Sequence, residues 1–123
     1  MPHSFYSNFE TALSKLNQFL HQGIQDDLDR AGLIQGFEFT FEQCWKAIQK
    51  QAKHEGLTAA SPRQAFKTAL SWGWIKEEDE ANWLEMTKDR NATTHVYRDE
   101  VAHSLTDKIV KVYAPALNQI LKK

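Results

Sequence analysis

Residues 33–52 read LIQGFEFTFEQCWKAIQKQA, and this stretch decides the fold class. Its apolar residues recur at steps of three and four, the period of one face of an α-helix. The stripe consists of Leu33, Ile34, Phe37, Phe41, Cys44, Trp45, Ile48 and Ala52. The pattern predicts a long amphipathic helix with one buried face, which Gly56 ends.

Two glycines, Gly32 and Gly36, lie near the start of this helix. Each would weaken an isolated helix by roughly 1 kcal/mol relative to alanine. We therefore expect them to permit a close approach by another element. The polar segment 24–32, IQDDLDRAG, is consistent with either a loop or a frayed helix start.

The flanking sequence carries further helix patterns. From Phe5, apolar residues at helical spacing predict a first helix that stops near Gly23. After the long helix, Ser61 fits an N-cap, Pro62 the first helical position and Gln64 the third position of a capping box. A helix is therefore predicted to begin there and to stop near Gly73.

Two more helices are predicted in the last third of the chain. Segment 76–90, KEEDEANWLEMTKDR, opens with acids that suit a helix start, and Trp83, Leu84 and Thr87 are expected on its inner face. The last helix is predicted from Asp99 to Leu121, with a kink or a break at Pro115. Its predicted inward stripe is Val101, Leu105, Ile109, Val112, Ala116 and Ile120.

No segment alternates with the period of two that marks a strand, so the predicted fold class is all-α. Four or five helices with short connections most simply form an antiparallel four- to five-helix bundle. With 123 residues, the chain is predicted to be one domain spanning 1–123.

Composition excludes several functional classes. The net charge is -1 and the pI about 6.5, so no overall basic field indicates nucleic-acid binding, and any RNA contact would need a local patch. Cys44 is the only cysteine and is read as a small buried hydrophobe, which excludes an internal disulfide. No signal peptide or membrane span is evident, so we expect a cytoplasmic protein without membrane contact. His3, His21, His54 and His103 show no mutual spacing typical of metal ligands, so no metal site and no cofactor are expected.

Segment 89–98, DRNATTHVYR, interrupts the helical pattern. On one unbroken helix Arg90 and His95 would lie about 140° apart and could not act on one atom. Asn91 and the two threonines that follow favour a break, because Asn and Thr side chains compete for backbone hydrogen bonds. A helix end near Ala92 would allow Arg90 and His95 to converge.

A converged pair would suit metal-free RNA cleavage. Arg90 is a permanent cation whose planar donors match a phosphodiester, and His95 can transfer a proton near neutral pH. Asn91 adds a neutral donor and acceptor beside them. The alternative is structural: Arg90 would pair with an acid, His95 would cap a helix and Tyr97 would pack into the bundle. The candidate acids for that pair are Asp89, Glu85 and Glu100.

Three other side chains in the long helix have open roles. Glu38 and Glu42 share a face and could pair with Lys46 or Arg30, or contact Arg90 and orient it. Phe39 lies off the apolar stripe, which is consistent with a dimer or partner surface.

The 89–98 segment resembles the HEPN superfamily of small helical bundles. Their motif is an Arg followed, after four to six residues, by a His, and Arg90, Asn91, His95 and Tyr97 fit its R-x4-H-x-Y form. Three blocks in order, IQGFEFTFEQCWKAI, SPRQAFKTAL with GWI, and DRNATTHVY, are similar to nucleotidyltransferase substrate-binding proteins, a branch of that superfamily.

The resemblance implies a role in a two-protein toxin–antitoxin module. The chain would be a homodimeric toxin that cleaves RNA, with Arg90, His95 and Asn91 as catalytic residues. Its partner would be a cognate minimal nucleotidyltransferase (MNT) acting as antitoxin, which would transfer AMP to Tyr97. The alternative function is that of a non-catalytic accessory subunit that binds the transferase and presents a substrate to it.

Overall fold

The computed structural model describes residues 5–91 and 99–120 of the chain. Six α-helices are defined there, and a 3-10 turn at Glu77–Asp79 precedes the fourth helix. They are α1 (Ser7–Gln22), α2 (Asp27–His54), α3 (Pro62–Ser71), α4 (Glu80–Asn91), α5 (Asp99–Lys108) and α6 (Ala114–Ile120). A π-helical segment, Ile109–Tyr113, joins α5 to α6 into one interrupted helix. The predicted all-α antiparallel bundle is confirmed, and the described residues contain no strand.

Local sequence explains where these helices begin. Asp26 caps α2 by accepting a hydrogen bond from the Asp29 backbone N–H at 2.9 Å, so the polar 24–32 segment contains a helix start. Ser61 caps α3 in the same way, accepting from the Gln64 N–H at 3.2 Å, with Pro62 first in the helix. Both helices therefore begin at side chains that satisfy the free amides of the first turn.

The long helix α2 lies at the centre of the bundle and contacts α1, α3, α5 and α6. Its predicted apolar stripe is buried, except that Trp45 is only partly covered. Aromatic rings continue this core outward, from Phe41 to Phe66 of α3 at 5.5 Å between ring centroids, and from Phe66 to Trp83 of α4 at 4.7 Å. These contacts fix α3 and α4 against one side of α2.

The predicted inner face of α4 is partly wrong. Trp83 is buried as expected, but Leu84 is 37% exposed, and Met86 is fully buried in its place. Residues 83, 86 and 90 recur at steps of three and four, so they form the stripe that faces the bundle, and Leu84 lies about 100° away from it. The correction matters because this stripe carries Arg90 toward α2.

Pro115 has the predicted effect in an unpredicted form. The interruption before it is the π segment, in which the Ala114 N–H donates to the Ile109 carbonyl five residues earlier. This pattern admits a residue that has no N–H to donate and whose ring would crowd the carbonyl four residues back. It also moves the inward positions by one residue, so Tyr113 and Leu117 are buried while Val112 and Ala116 are only partly covered.

Across residues 5–91 and 99–120, no helix combines the length and the apolar character that crossing a membrane would need.

Candidate active site at the end of α4

Arg90 lies in the last turn of α4, one turn beyond the buried Met86. Its guanidinium reaches across to two carboxylates of α2. Nη1 lies 3.9 Å from Glu38 Oε2, and Nη2 lies 3.7 Å from Glu42 Oε1. Of the alternatives open from sequence, the structure therefore places both glutamates at Arg90. Glu42 also lies 3.8 Å from Lys46.

These ion pairs orient Arg90 more than they stabilise the fold. The Arg90 side chain is 30% exposed and both carboxylates are similarly exposed, so solvent screens the attraction. Pairs of this kind contribute about 0–1 kcal/mol to folding. A phosphate that approaches Arg90 can therefore share the guanidinium with a carboxylate, or replace that carboxylate, at small cost. The two glutamates of α2 still limit the directions that the guanidinium can take.

The neighbouring residue, Asp89, ties the same helix end to the opposite side of the bundle. Its carboxylate accepts a short hydrogen bond from the Tyr113 hydroxyl and another from Lys108 Nζ at 3.2 Å. Lys108 also pairs with Glu85 at 2.8 Å. Asp89 and Glu85, considered from sequence as partners of Arg90, thus pair with the C-terminal helix instead.

Tyr113 is the buried anchor of this contact. Its ring stacks on Phe37 of α2 with centroids 5.6 Å apart and an angle of 20° between the planes. Burial, followed by the Asp89 hydrogen bond, raises the pKa of Tyr113 above its ordinary value, so the hydroxyl stays protonated and donates. The sequence analysis missed this residue because it continued the inward stripe at regular helical spacing up to the disruption predicted at Pro115. The helix disruption expected at Pro115 was the available signal.

Arg90 and Asn91, which are consecutive at the end of α4, line different clefts. Arg90 opens on a cleft of about 600 Å³ between α1 and α2, which we call the Phe39 cleft after the aromatic residue on its wall. Asn91 lines a second cleft of about 780 Å³ between the start of α3 and the end of α4, which we call the Arg63 cleft. The structure therefore does not bring Asn91 into the cleft that Arg90 lines. His95, Tyr97 and the predicted helix break lie outside the described residues.

The Phe39 cleft depends on the two glycines of α2. A Cβ atom on Gly32 would lie 3.0 Å from Cε1 of Phe19, and one on Gly36 would lie 3.7 Å from a Leu16 methyl carbon. The expected close approach is confirmed, since the Phe19 ring of α1 packs directly against the backbone of α2 at Gly32. Phe19 is 37% exposed and Phe39 is 56% exposed, so Arg90 is bordered by an uncovered aromatic surface.

Other candidate chemistry in the described part of the chain is limited. No group of three or more His, Cys, Asp or Glu side chains there is arranged to hold a metal ion. Cys44 is buried as predicted, and burial raises the pKa of its thiol, which disfavours the reactive thiolate.

Comparison with known proteins supports the resemblance seen in the sequence. A family model described as nucleotidyltransferase substrate binding protein like matches residues 4–123. A curated protein of Haemophilus influenzae named "Probable ribonuclease HepT" is 30% identical over 114 residues, which cover 86% of this chain and 77% of that protein. A crystal structure of a Thermus thermophilus protein matches with a TM-score of 0.84 and 32% identity, covering 93% of this chain and 96% of that one. The chain belongs to the nucleotidyltransferase substrate binding protein-like family, within the HEPN superfamily.

Proposed function

We propose that the protein is an endoribonuclease that cleaves RNA without a metal ion, with Arg90 and His95 as its catalytic pair and Asn91 in support. The observation that carries the proposal is the setting of Arg90. A partly exposed guanidinium is held from α2 by Glu38 and Glu42 while its helix end is held from the other side through Asp89. The Haemophilus influenzae relative is named a probable ribonuclease, which supports this proposal.

The proposed reaction is an internal transesterification. His95 takes the proton of a ribose 2′-hydroxyl, and that oxygen attacks the adjacent phosphorus. The new P–O2′ bond forms as the P–O5′ bond breaks, which leaves a 2′,3′-cyclic phosphate on one fragment. The leaving 5′-oxygen receives a proton and becomes a hydroxyl. Arg90 stabilises the negative charge that builds up on the phosphorane oxygens, and its prior orientation lowers the cost of doing so.

We propose that the protein acts as a homodimer joined through the Phe39 cleft. An interface with twofold symmetry must be complementary to itself. Two features of this surface support such complementarity, since Phe39 is 56% exposed and lies in the wall of a cleft of about 600 Å³ that could receive the same ring from a second copy. Its charges are also of both signs, with Lys15 and Arg90 facing Glu38 and Glu42. Such pairing would bring the two Arg90 residues to one interface.

Regulation is proposed to act at Tyr97, by AMP transfer from a cognate minimal nucleotidyltransferase. Tyr97 is two residues from His95 in sequence. The added phosphate would repel a phosphodiester, and the nucleoside would fill space beside the catalytic pair. Incubation with ATP and the transferase, followed by intact-mass measurement, tests this step. Adducts that persist on Tyr97→Phe would contradict it.

The second candidate is a non-catalytic subunit that binds the transferase and presents a substrate. One observation favours it: the two carboxylates beside Arg90 neutralise the charge that would attract a phosphate.

Cleavage assays separate the two functions. Purified wild type is incubated with single-stranded RNA in buffer containing EDTA, beside Arg90→Ala and His95→Ala. The ribonuclease proposal expects cleavage by wild type and a loss of about 10²–10⁴-fold in each variant. A wild type that binds the transferase but cuts no RNA supports the accessory function.

A further inference from the structure

The Arg63 cleft has a charge distribution that its neighbour lacks. Two acids, Glu85 and Asp89, lie in its wall, but both are already paired with Lys108 at 2.8 and 3.2 Å. Arg63 and Lys88 also line the cleft, and neither forms an ion pair with any residue in 5–91 or 99–120. The described lining therefore carries three cations, Arg63, Lys88 and Lys108, against two carboxylates, an excess of one positive charge.

The start of α3 adds to this positive potential. The first turn of α3 has no acidic residue, unlike the first turns of α1, α2, α4 and α5. Its partial positive charge thus acts together with Arg63, which lies in that turn. By contrast, the Phe39 cleft carries two cations, Lys15 and Arg90, against two carboxylates. Of the Arg63 cleft and the Phe39 cleft, only the Arg63 cleft has an excess of positive charge, which favours a polyanion.

Size and lining are also suited to a nucleic-acid strand. The volume of about 780 Å³ falls within the roughly 300–1,000 Å³ of ligand sites. Leu84, whose side chain is 37% exposed, gives the wall an apolar surface against which a base can rest. Asn91, proposed to support the catalytic pair, lies in the same wall and directly follows Arg90 in sequence.

We propose that the Arg63 cleft binds the single-stranded RNA that flanks the scissile phosphate, with Arg63 and Lys88 contacting backbone phosphates. This inference rests on the proposed ribonuclease function and extends it by naming where the strand lies. The Arg90 side of α4 then faces the second protomer and the scissile phosphate, and the Asn91 side holds the flanking RNA. Contacts of this kind contribute to affinity and carry little sequence preference.

The test compares two double variants that remove the same charge. Arg63→Ala/Lys88→Ala removes the two cations of the cleft that form no ion pair within the described residues, and leaves Lys108 with its partners Glu85 and Asp89. Lys50→Ala/Lys67→Ala removes two exposed lysines that line neither cleft and serves as the matched control. Circular dichroism and thermal melting establish that both variants fold. Fluorescence anisotropy with a labelled single-stranded RNA, measured over a series of salt concentrations, then gives the affinity and its salt dependence.

The proposal expects the cleft variant alone to bind more weakly and to lose about 1.4 from the slope of log K against log salt, at about 0.7 per phosphate contact. Cleavage kinetics should show a raised KM with little change in kcat. Equal slopes in the two double variants overturn the proposal, even if wild type cuts RNA. The same holds if wild type binds no RNA, or if the cleft variant loses only transferase binding. Reduced RNA binding by the cleft variant supports the proposal even if no RNA is cleaved, and in that case only the catalytic function fails.

Discussion

Replacing Phe39 with alanine should weaken the proposed dimer by about 10- to 150-fold. Phe39 is 56% exposed in the isolated chain, so an interface has about half of its surface left to bury. Burying a whole phenylalanine side chain contributes about 1.5–3 kcal/mol, and half of that is about 0.8–1.5 kcal/mol. A twofold dimer buries Phe39 on both protomers, which gives about 1.5–3 kcal/mol. At about 1.4 kcal/mol per tenfold change, the expected increase in the dimer dissociation constant follows.

Sedimentation velocity across a concentration series measures that constant directly. Leu57→Ala is the matched control, because Leu57 is an apolar side chain of similar exposure, 47%, in the connection between α2 and α3 and outside the Phe39 cleft. The control should dimerise like wild type. If Phe39→Ala and Leu57→Ala dimerise equally well, or if wild type is monomeric at micromolar concentration, the proposed interface is wrong.

Three further predictions follow from the contacts around Arg90. Tyr113→Phe should lower the free energy of unfolding by about 1.5–3 kcal/mol in chemical denaturation, because the Tyr113 hydroxyl donates a hydrogen bond to a carboxylate. Tyr6→Phe, which removes a weaker hydrogen bond to an amide oxygen, should lower it less, and equal losses would contradict the role assigned to Asp89. Glu38→Gln/Glu42→Gln should change the free energy of unfolding by less than about 1 kcal/mol. The variant should lower both KM and kcat for RNA, because two negative charges beside Arg90 are lost and its guanidinium is less well oriented; unchanged kinetics would show that the two glutamates have no role in catalysis. Stability should fall as pH rises above about 9, because folding raises the pKa of Cys44 and of Tyr113 above their ordinary values and that of Tyr6 to about 12, so unfolding releases protons there. Denaturation at pH 9 and 11 checks this, and Tyr113→Phe should show a smaller decline than wild type.

Those features of the fold that depend on local chemistry could be predicted from the sequence. The stripe of α2 follows from helical period, and the start of α3 follows from Ser61 and Pro62, since each depends on residues within a few positions of each other. Gly32 and Gly36 were also informative, because a glycine inside a strong helix has few other uses than close packing.

The features that could not be predicted from the sequence depend on how the helices are positioned against one another. Leu84 and Met86 are both apolar, and only the packing of α4 on α2 and α3 decides which is buried. Tyr113 became inward-facing through the π segment, which a regular period of 3.6 residues cannot represent. The pairing of Arg90 had several acids to choose from in sequence, and the choice of Glu38 and Glu42 required the relative placement of α2 and α4.

The separation of Arg90 from Asn91 is the largest change to the site. Consecutive helical residues point about 100° apart, so neighbours in a motif need not share a surface. The motif indicated one catalytic cluster, whereas the structure puts these two residues on two clefts with different charge. This division underlies the separate proposals for dimer contact and RNA binding.

The most direct test of the ribonuclease proposal is the chemical identity of the RNA ends produced in buffer containing EDTA. Mass spectrometry of a defined oligonucleotide after incubation with wild type should show a 2′,3′-cyclic phosphate on one fragment and a 5′-hydroxyl on the other. The same products should be nearly absent with His95→Ala and with Arg90→Ala, and absent when the ribose at the cut site lacks its 2′-hydroxyl. An RNA that stays intact with wild type, or fragments that carry 5′-phosphates and survive both substitutions, would contradict the proposal.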